Sequence, residues 1–240
     1  MSKNKVTALV LAAGQGKRMN MPVAKQFINL KGKPVIYYSL KALEASNVDE
    51  VILVTGSGQV DYCWNSIVKP NGFKKVAKII EGGQERYDSV YKGLNNIDDA
   101  RYVMIHDGAR PFIQTRLINQ VIEQVEICSA CIVGVPVKDT IKVVDEEGQI
   151  ISTPNRNTLW AAQTPQAFRY DLIKRAYDLM YQEDGMKHMT ITDDAMLYET
   201  YIDQKVKVLP GDYSNIKLTT HEDLSIAEII MEKVISHVNE

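Results

Sequence analysis

Short apolar runs rich in β-branched residues, at 6–12, 51–55, 76–80, 102–106 and 131–135, alternate along this chain with stretches of helical period at 34–45, 85–97 and 114–127. Each run is too continuously apolar to leave one face in water, so the strands it predicts belong in a sheet covered on both sides. Such alternation gives an α/β fold: a mostly parallel, twisted sheet with right-handed crossovers and helices on both faces, Rossmann-like in outline. Ligands of these sheets bind beyond the carboxyl ends of the strands.

The rhythm breaks between Lys138 and Thr164. There Ile141-Lys-Val-Val144, Asp145-Glu-Glu-Gly148 and Gln149-Ile-Ile-Ser152 read as two short strands around a turn. A lone hairpin is marginally stable in water, so an arm projecting from the sheet over 138–164 has to pack on something, and a second copy of the chain, giving a homodimer, is a reasonable partner. Beyond the arm the pattern predicts helices at 170–183 and 193–202 and a strand at 206–209. A final helix follows, capped by Thr220-His-Glu-Asp223, with Leu224, Ala227, Met231, Val234 and Val238 on its buried stripe. No repeat, low-complexity tract or linker divides the chain, so residues 1–240 are expected to form a single domain.

A formal net charge of −2 gives no sequence-wide attraction to polyanions, which argues against nucleic acid and membrane surfaces as partners. The apolar stretch from Val6 to Ala13 is too short to span a bilayer and lacks a cleavage signature, so a cytoplasmic location is expected. Cys63, Cys128 and Cys131 cannot all pair within one chain. The Cys128-Ser-Ala-Cys131 pair ends an amphipathic stretch instead of opening an exposed helix, and no second ligand pair lies nearby. Buried structural thiols are therefore expected, not a redox or zinc site.

Leu9-Val-Leu-Ala-Ala-Gly14-Gln-Gly16-Lys17-Arg18-Met19 follows the first apolar run directly. Its glycines permit close backbone approach, so successive N–H groups can face phosphate oxygens while Lys17, Arg18 and Lys25 add charge. A P-loop needs a different spacing before Gly-Lys-Ser/Thr, and a dinucleotide fingerprint needs a third glycine where Arg18 stands. So basic a loop suits a nucleoside triphosphate and its pyrophosphate leaving group. Taken alone, Gly14 and Gly16 read equally well as a plain strand-to-loop turn.

Other motifs run the length of the chain: Lys25-Gln26, Gly82-Gly-Gln-Glu-Arg86 with Asp88-Ser89, and His106-Asp-Gly-Ala-Arg-Pro111. Val137-Lys-Asp-Thr-Ile-Lys142, Leu159-Trp-Ala-Ala-Gln-Thr-Pro-Gln166, Thr192-Asp-Asp-Ala195 and Asn215-Ile-Lys-Leu-Thr219 complete the series. With the first loop, and in this order, they resemble the bacterial 2-C-methyl-D-erythritol 4-phosphate cytidylyltransferases of the non-mevalonate isoprenoid route.

That resemblance implies a nucleotidyltransferase using CTP, Mg²⁺ and a sugar-alcohol phosphate. It implies Arg18, Lys25 and Lys217 as catalytic groups, the first two stabilising charge at the α-phosphorus. It places the nucleotide on Ala12, Ala13, Gly14, Gly16, Gly82, Gly83, Arg86, Ser89, Asp107 and Gly108, with Asp107 also a candidate Mg²⁺ contact. The acceptor falls to Asp107, Arg110, Thr140, Arg156, Thr164, Thr192 and Lys217, with Thr140 and Arg156 reaching across a dimer from the arm. Without the resemblance, Lys25 reads as a solvated loop lysine, Lys217 as a strand-end charge, Asp107 as a turn cap and Thr192 as a helix N-cap. Arg110 reads as a partner for Asp107 or Asp139. Asn155 stands before Arg156 where many members carry an acid. Pro154-Asn-Arg156 and Tyr213-Ser-Asn-Ile-Lys217 are also similar to ribitol-5-phosphate cytidylyltransferases, although the first loop and His106-Asp-Gly-Ala-Arg110 suit the erythritol enzymes better. A nucleotide-binding protein that kept the fold and lost the chemistry is the remaining alternative.

Overall fold

The computed structural model describes residues 4–14, 24–182 and 190–238. Its centre is a seven-stranded sheet in the order β11-β7-β10-β6-β1-β4-β5. The strands are β1 (Val6–Ala12), β4 (Glu50–Thr55), β5 (Val76–Glu81), β6 (Tyr102–Asp107), β7 (Ala130–Pro136), β10 (Trp160–Arg169) and β11 (Lys207–Pro210). All are parallel except β10, which runs antiparallel between β6 and β7. Two small pairs stand outside the sheet: β2 (Asn29–Leu30) with β3 (Lys33–Pro34), and β8 (Val143–Val144) with β9 (Ile150–Ser152).

The helices are α1 (Val35–Glu44), α2 (Val60–Tyr62), α3 (Lys69–Asn71), α4 (Arg86–Leu94), α5 (Thr115–Cys128), α6 (Tyr170–Gln182), α7 (Asp194–Ile202) and α8 (His221–Val238). A π-helical stretch, Cys63–Val68, joins α2 to α3.

Side chains alternate across a strand, and β1 shows what that does here. Val6, Ala8, Val10 and Ala12 enter one apolar cluster with Ile36 and Leu40 of α1 and Ile118 and Val121 of α5. Leu9 enters the opposite cluster with Val90 and Leu94 of α4 and Ile173 and Tyr177 of α6. Both faces of this strand are therefore covered. Each fully buried aliphatic side chain contributes about 1.5–3 kcal/mol.

Strands β1, β4, β5, β6 and β7 and helices α1, α4 and α5 fall where the alternation predicts them, as do α6, α7, β11 and α8. Asp223 caps α8 by accepting from Thr219 N at 2.7 Å and Thr220 N at 2.9 Å. Ala227 and Met231 are buried and Leu224 is half-buried, whereas Val234 and Val238 lie outside the described side chains.

The main correction is β10. The pattern places the whole of 138–164 off the sheet, yet Trp160–Arg169 is a central strand. Its sequence, Ala- and Gln-rich with Pro165 in the middle, carries the composition that normally excludes a central strand. The register shifts between Gln163 and Gln166, so Pro165 sits in an irregularity where no ladder donor is needed.

Connection order creates the ligand crevice. From β1 the chain moves to β4 and β5 on one side, then crosses to β6 on the other. Loops leaving the carboxyl ends of β1 and β6 therefore part from each other, and the gap between them is the expected binding place.

Candidate active site

A cavity of about 1500 Å³ opens at that gap, lined by Gly14, Lys25, Gly82, Arg86, Asp107 and Lys217 among others. A second cavity of about 200 Å³ adjoins it, lined by Arg110, Gln163, Thr164 and Thr192 together with Arg86, Asp107 and Lys217. The last three residues line both, so they form the wall between a large chamber and a small one.

Asp107 ends β6 and is the electrostatic centre of the wall. Its Oδ2 lies 2.7 Å from Lys217 Nζ and 3.9 Å from Arg110 Nε, and its Oδ1 lies 3.3 Å from Arg86 Nε. Burial alone would raise this carboxyl; the charges of Arg86, Lys217 and Arg110 outweigh burial and hold it well below the usual carboxylate range. The backbone N–H of Asp107 donates to Thr164 Oγ1 at 3.0 Å, and that hydroxyl also lies 3.1 Å from His106 Nδ1.

Lys217 was expected at a strand end. It lies instead in the loop between β11 and α8, because β11 stops at Pro210. The loop is anchored by Asn215, fully buried, whose Nδ2 donates to Gln163 Oε1 at 3.2 Å and to Thr164 O at 3.0 Å. Arg110 partners Asp107 and donates from Nη1 to Asn215 O at 2.7 Å. Its charged partner is therefore Asp107, not Asp139. Arg86 opens α4 and reaches two carboxylates at once, Asp107 and Asp194.

On the chamber's other wall, Gly82, Gly83 and Ser89 pack without spare room. A Cβ on Gly82 would lie 2.6 Å from Ala13 Cβ and 2.6 Å from Ser89 Oγ, and one on Gly83 would lie 2.1 Å from Asp88 Cβ. Ser89 Oγ accepts from Gly83 N at 3.0 Å and donates to Glu85 O at 3.2 Å, so this hydroxyl shapes the turn first. At Gly108 a Cβ would meet Leu11 O at 3.0 Å, where the β1 and β6 ends converge. At Gly14 the nearest atom among the described residues is Lys25 Cε at 4.0 Å. Steric need therefore explains Gly82, Gly83 and Gly108. Gln26, nearly fully buried, ties the base of this wall by donating to Ala12 O. Gly16, Lys17 and Arg18 lie outside the described residues.

Thr192, read as an N-cap, is not one: Asp193 caps α7, its Oδ1 accepting from Met196 N at 3.0 Å. Thr192 lines the small cavity just ahead of that cap. Thr140 and Arg156 line neither cavity of their own chain. Both are exposed, and Arg156 Nη1 donates to Lys138 O at 2.9 Å. Asn155 Oδ1 accepts from Asn157 N at 3.1 Å, so the residue before Arg156 caps a short turn.

The described residues offer no ready seat for a Mg²⁺ ion. Among the described residues no group of three His, Cys, Asp or Glu side chains converges. Asp107, the carboxylate expected to serve, has both oxygens facing cations. The cysteines are free, with Cys63 and Cys131 buried and Cys128 half-buried. Cys131 opens β7 inside the core, which fits a structural thiol.

Sequence reading missed Tyr177, Gln166 and Asn215 as site-builders. Gln166 and Asn215 stand inside motifs quoted for the family, but no local pattern marks Tyr177.

A large chamber with a close-packed glycine wall, cations gathered at a topological switch point and an adjoining small polar chamber fit an α/β nucleotidyltransferase. The chain belongs to the IspD family, 2-C-methyl-D-erythritol 4-phosphate cytidylyltransferase, whose model matches residues 6–233. It is 52% identical over 229 residues to the enzyme of that name from Lachnoclostridium phytofermentans, covering 95% of this chain and 97% of the relative. The counterpart from Lachnospira eligens is 51% identical, covering 94% and 99%. The crystal structure of 4-diphosphocytidyl-2C-methyl-D-erythritol synthase from Anaerococcus prevotii superposes with a TM-score of 0.83 at 32% identity, covering 95% and 96%. The protein is accordingly a cytidylyltransferase.

Proposed function

We propose that the Asp107-centred wall is where this cytidylyltransferase brings its two substrates together. CTP occupies the large chamber and 2-C-methyl-D-erythritol 4-phosphate the small one. The observation that carries this reading is the sharing of Arg86, Asp107 and Lys217 by both cavities, so that an acceptor in one and a triphosphate in the other would meet at the wall.

In the reaction an acceptor phosphate oxygen attacks the α-phosphorus of CTP in line. The new P–O bond forms as the bond to the oxygen bridging α- and β-phosphorus breaks, and pyrophosphate leaves with that oxygen's electron pair. Negative charge concentrates on the transferring group, so fixed cations nearby lower the barrier. Lys25, beside Gly14 on the first loop, addresses the phosphates, joined by Arg18 in the role that the family resemblance gives it. Lys217, held 2.7 Å from Asp107, is poised to orient the acceptor. Ala13, Gly82 and Ser89 pack so closely that a side chain at Gly82 would push this wall of the nucleotide chamber apart.

Mg²⁺ enters this reading only as the counter-ion of the triphosphate, and no protein-borne step depends on it. The homodimer enters through the arm. Thr140 and Arg156 sit on an exposed hairpin away from their own cavities, and a guanidinium suits a phosphate monoester. No described helix is long and apolar enough to cross a membrane. A cytoplasmic location fits small-molecule substrates.

Pyrophosphate release is the deciding assay, with CTP, Mg²⁺ and either methylerythritol phosphate or ribitol 5-phosphate. Faster turnover with methylerythritol phosphate is expected. Faster turnover with ribitol 5-phosphate would overturn the choice of acceptor, and CTP binding with no turnover on either would favour a sensor.

A further inference from the structure

Asp194 is fully buried and stands at the start of α7, beyond the wall. Its Oδ1 accepts from Arg86 Nη1 at 3.0 Å and from the Tyr177 hydroxyl at 2.6 Å, and its Oδ2 accepts from Arg86 Nη2 at 2.7 Å. The backbone behind it is fixed as well. Asp194 N and Ala195 N both donate to Gln166 Oε1 at 3.1 Å, and Gln166 Nε2 donates to Asp193 Oδ2 at 2.8 Å. The Asp194 carboxylate is thus held by a tyrosine hydroxyl and a guanidinium fork, on a backbone that Gln166 pins.

Burial would lower the Arg86 pKa, but Asp194 and Asp107 outweigh that and hold the guanidinium firmly charged. Its two terminal nitrogens both face Asp194, so only Nε is left for Asp107. Arg86 is also a side chain that lines both cavities. An unpaired guanidinium there would be the strongest phosphate fork in the site, because two parallel N–H donors match two phosphate oxygens. Lysine ammoniums bind phosphate as point charges and let it turn.

We propose that Asp194 is a positioning residue of the transfer reaction: it locks the Arg86 fork away from the substrates' phosphates and turns Nε toward Asp107. With the Arg86 fork turned away, Lys217 and Arg110 are the cations of this wall that remain for the acceptor. Neutralising Asp194 frees the Arg86 fork to trap phosphate at the wall, which disturbs the Asp107–Lys217 pair. The inference rests on the substrate assignment above for its kinetic consequence but not for its binding consequence.

The test is Asp194→Asn, which keeps shape and loses charge. Titration calorimetry with inorganic phosphate is expected to show affinity raised about fivefold or more over the native enzyme, the gain expected of a released guanidinium fork. In the pyrophosphate assay kcat is expected to fall about tenfold or more while KM for CTP changes less than about threefold. Adding Arg86→Gln should return phosphate affinity to within about twofold of native and leave kcat no lower than in Arg86→Gln alone, because the two side chains act as one unit. Unchanged phosphate affinity in Asp194→Asn, or effects on kcat that simply multiply, would overturn the proposal. If Asp194→Asn fails to fold, Tyr177→Phe decides. Losing one hydroxyl bond to Asp194 should raise phosphate affinity about twofold, and no change would overturn the proposal. Should the native enzyme release no pyrophosphate, the functional reading fails, while calorimetry still judges Asp194.

Discussion

At the scale of single residues, charge around Asp107 decides both rate and stability. Lys217→Ala removes a cation that the substrates meet, yet Asp107 keeps Arg86 and Arg110. Turnover should therefore drop on the order of a hundredfold with little change in melting temperature, as for loss of a transition-state contact. Lys25→Ala should behave alike, and near-normal pyrophosphate release from either would remove that residue from the mechanism. His106 makes a separate prediction. Burial pushes its pKa down from 6.5 to about 4, and Asp107 offsets only part of that. The folded protein therefore resists a proton that the unfolded chain accepts. The contribution of neutral His106 is full above about pH 6.5 and is lost as pH falls toward about 4, amounting to roughly 3 kcal/mol at most. Urea unfolding of His106→Asn should show a shallower decline between pH 6.5 and 4 than the native protein, and equal slopes would mean that other groups carry the acid sensitivity.

Among the elements, the arm and β10 show opposite relations between sequence and structure. The arm was legible because its turn, Asp145 to Gln149, carries its own chemistry. Asp145 Oδ1 accepts from Glu147 N at 3.1 Å and Gln149 N at 2.8 Å, and Gly148 takes a φ of 82°. By contrast β10 was hidden, because its place between β6 and β7 depends on pairing with segments far away in sequence and not on its own β propensity. The helix through Cys63–Val68 was missed for a similar reason: α2 and α3 are each too short to show a period. The exposed arm also states its own need. Ile150 and Ile151 are 62% and 65% exposed, too apolar to face water side by side without a partner. On the proposed homodimer, replacing both by Ser should give monomers in sedimentation velocity where the native chain gives dimers, and lower turnover with them; a native chain that sediments as a monomer would overturn the dimer. In a mixture of Arg156→Ala and Lys217→Ala chains, hybrid dimers should regain activity, since one site in each would combine a native arm with a native wall. No regained activity would place each site within one subunit.

Across the whole molecule, the sheet's order was readable only in part: hydrophobic period names the strands, but nothing local says that β6 lies beside β1 or that β11 pairs with β7. The same long-range pairing gives the site its cooperativity. Asp107 comes from β6, Lys217 from the loop after β11 and Arg86 from α4, so the wall exists only when the full sheet is assembled. Ligand binding should then stabilise the chain as one unit, and two buried thiols on opposite sides of the sheet's centre can report it. Cys63 packs beneath β4 with Thr55 Oγ1 at 3.6 Å, and Cys131 opens β7 with Val121 O at 3.6 Å. Burial raises both thiols above their ordinary range, so neither reacts until the structure opens. With CTP at about a hundredfold over its Kd, labelling of both should slow by the same factor, about a hundredfold or roughly 2.7 kcal/mol, if opening is global. Half-buried Cys128, at the end of α5, should label faster and respond less. Unequal protection of Cys63 and Cys131 would show that the β7 side opens on its own, and residues 1–240 would then behave as two cooperative units.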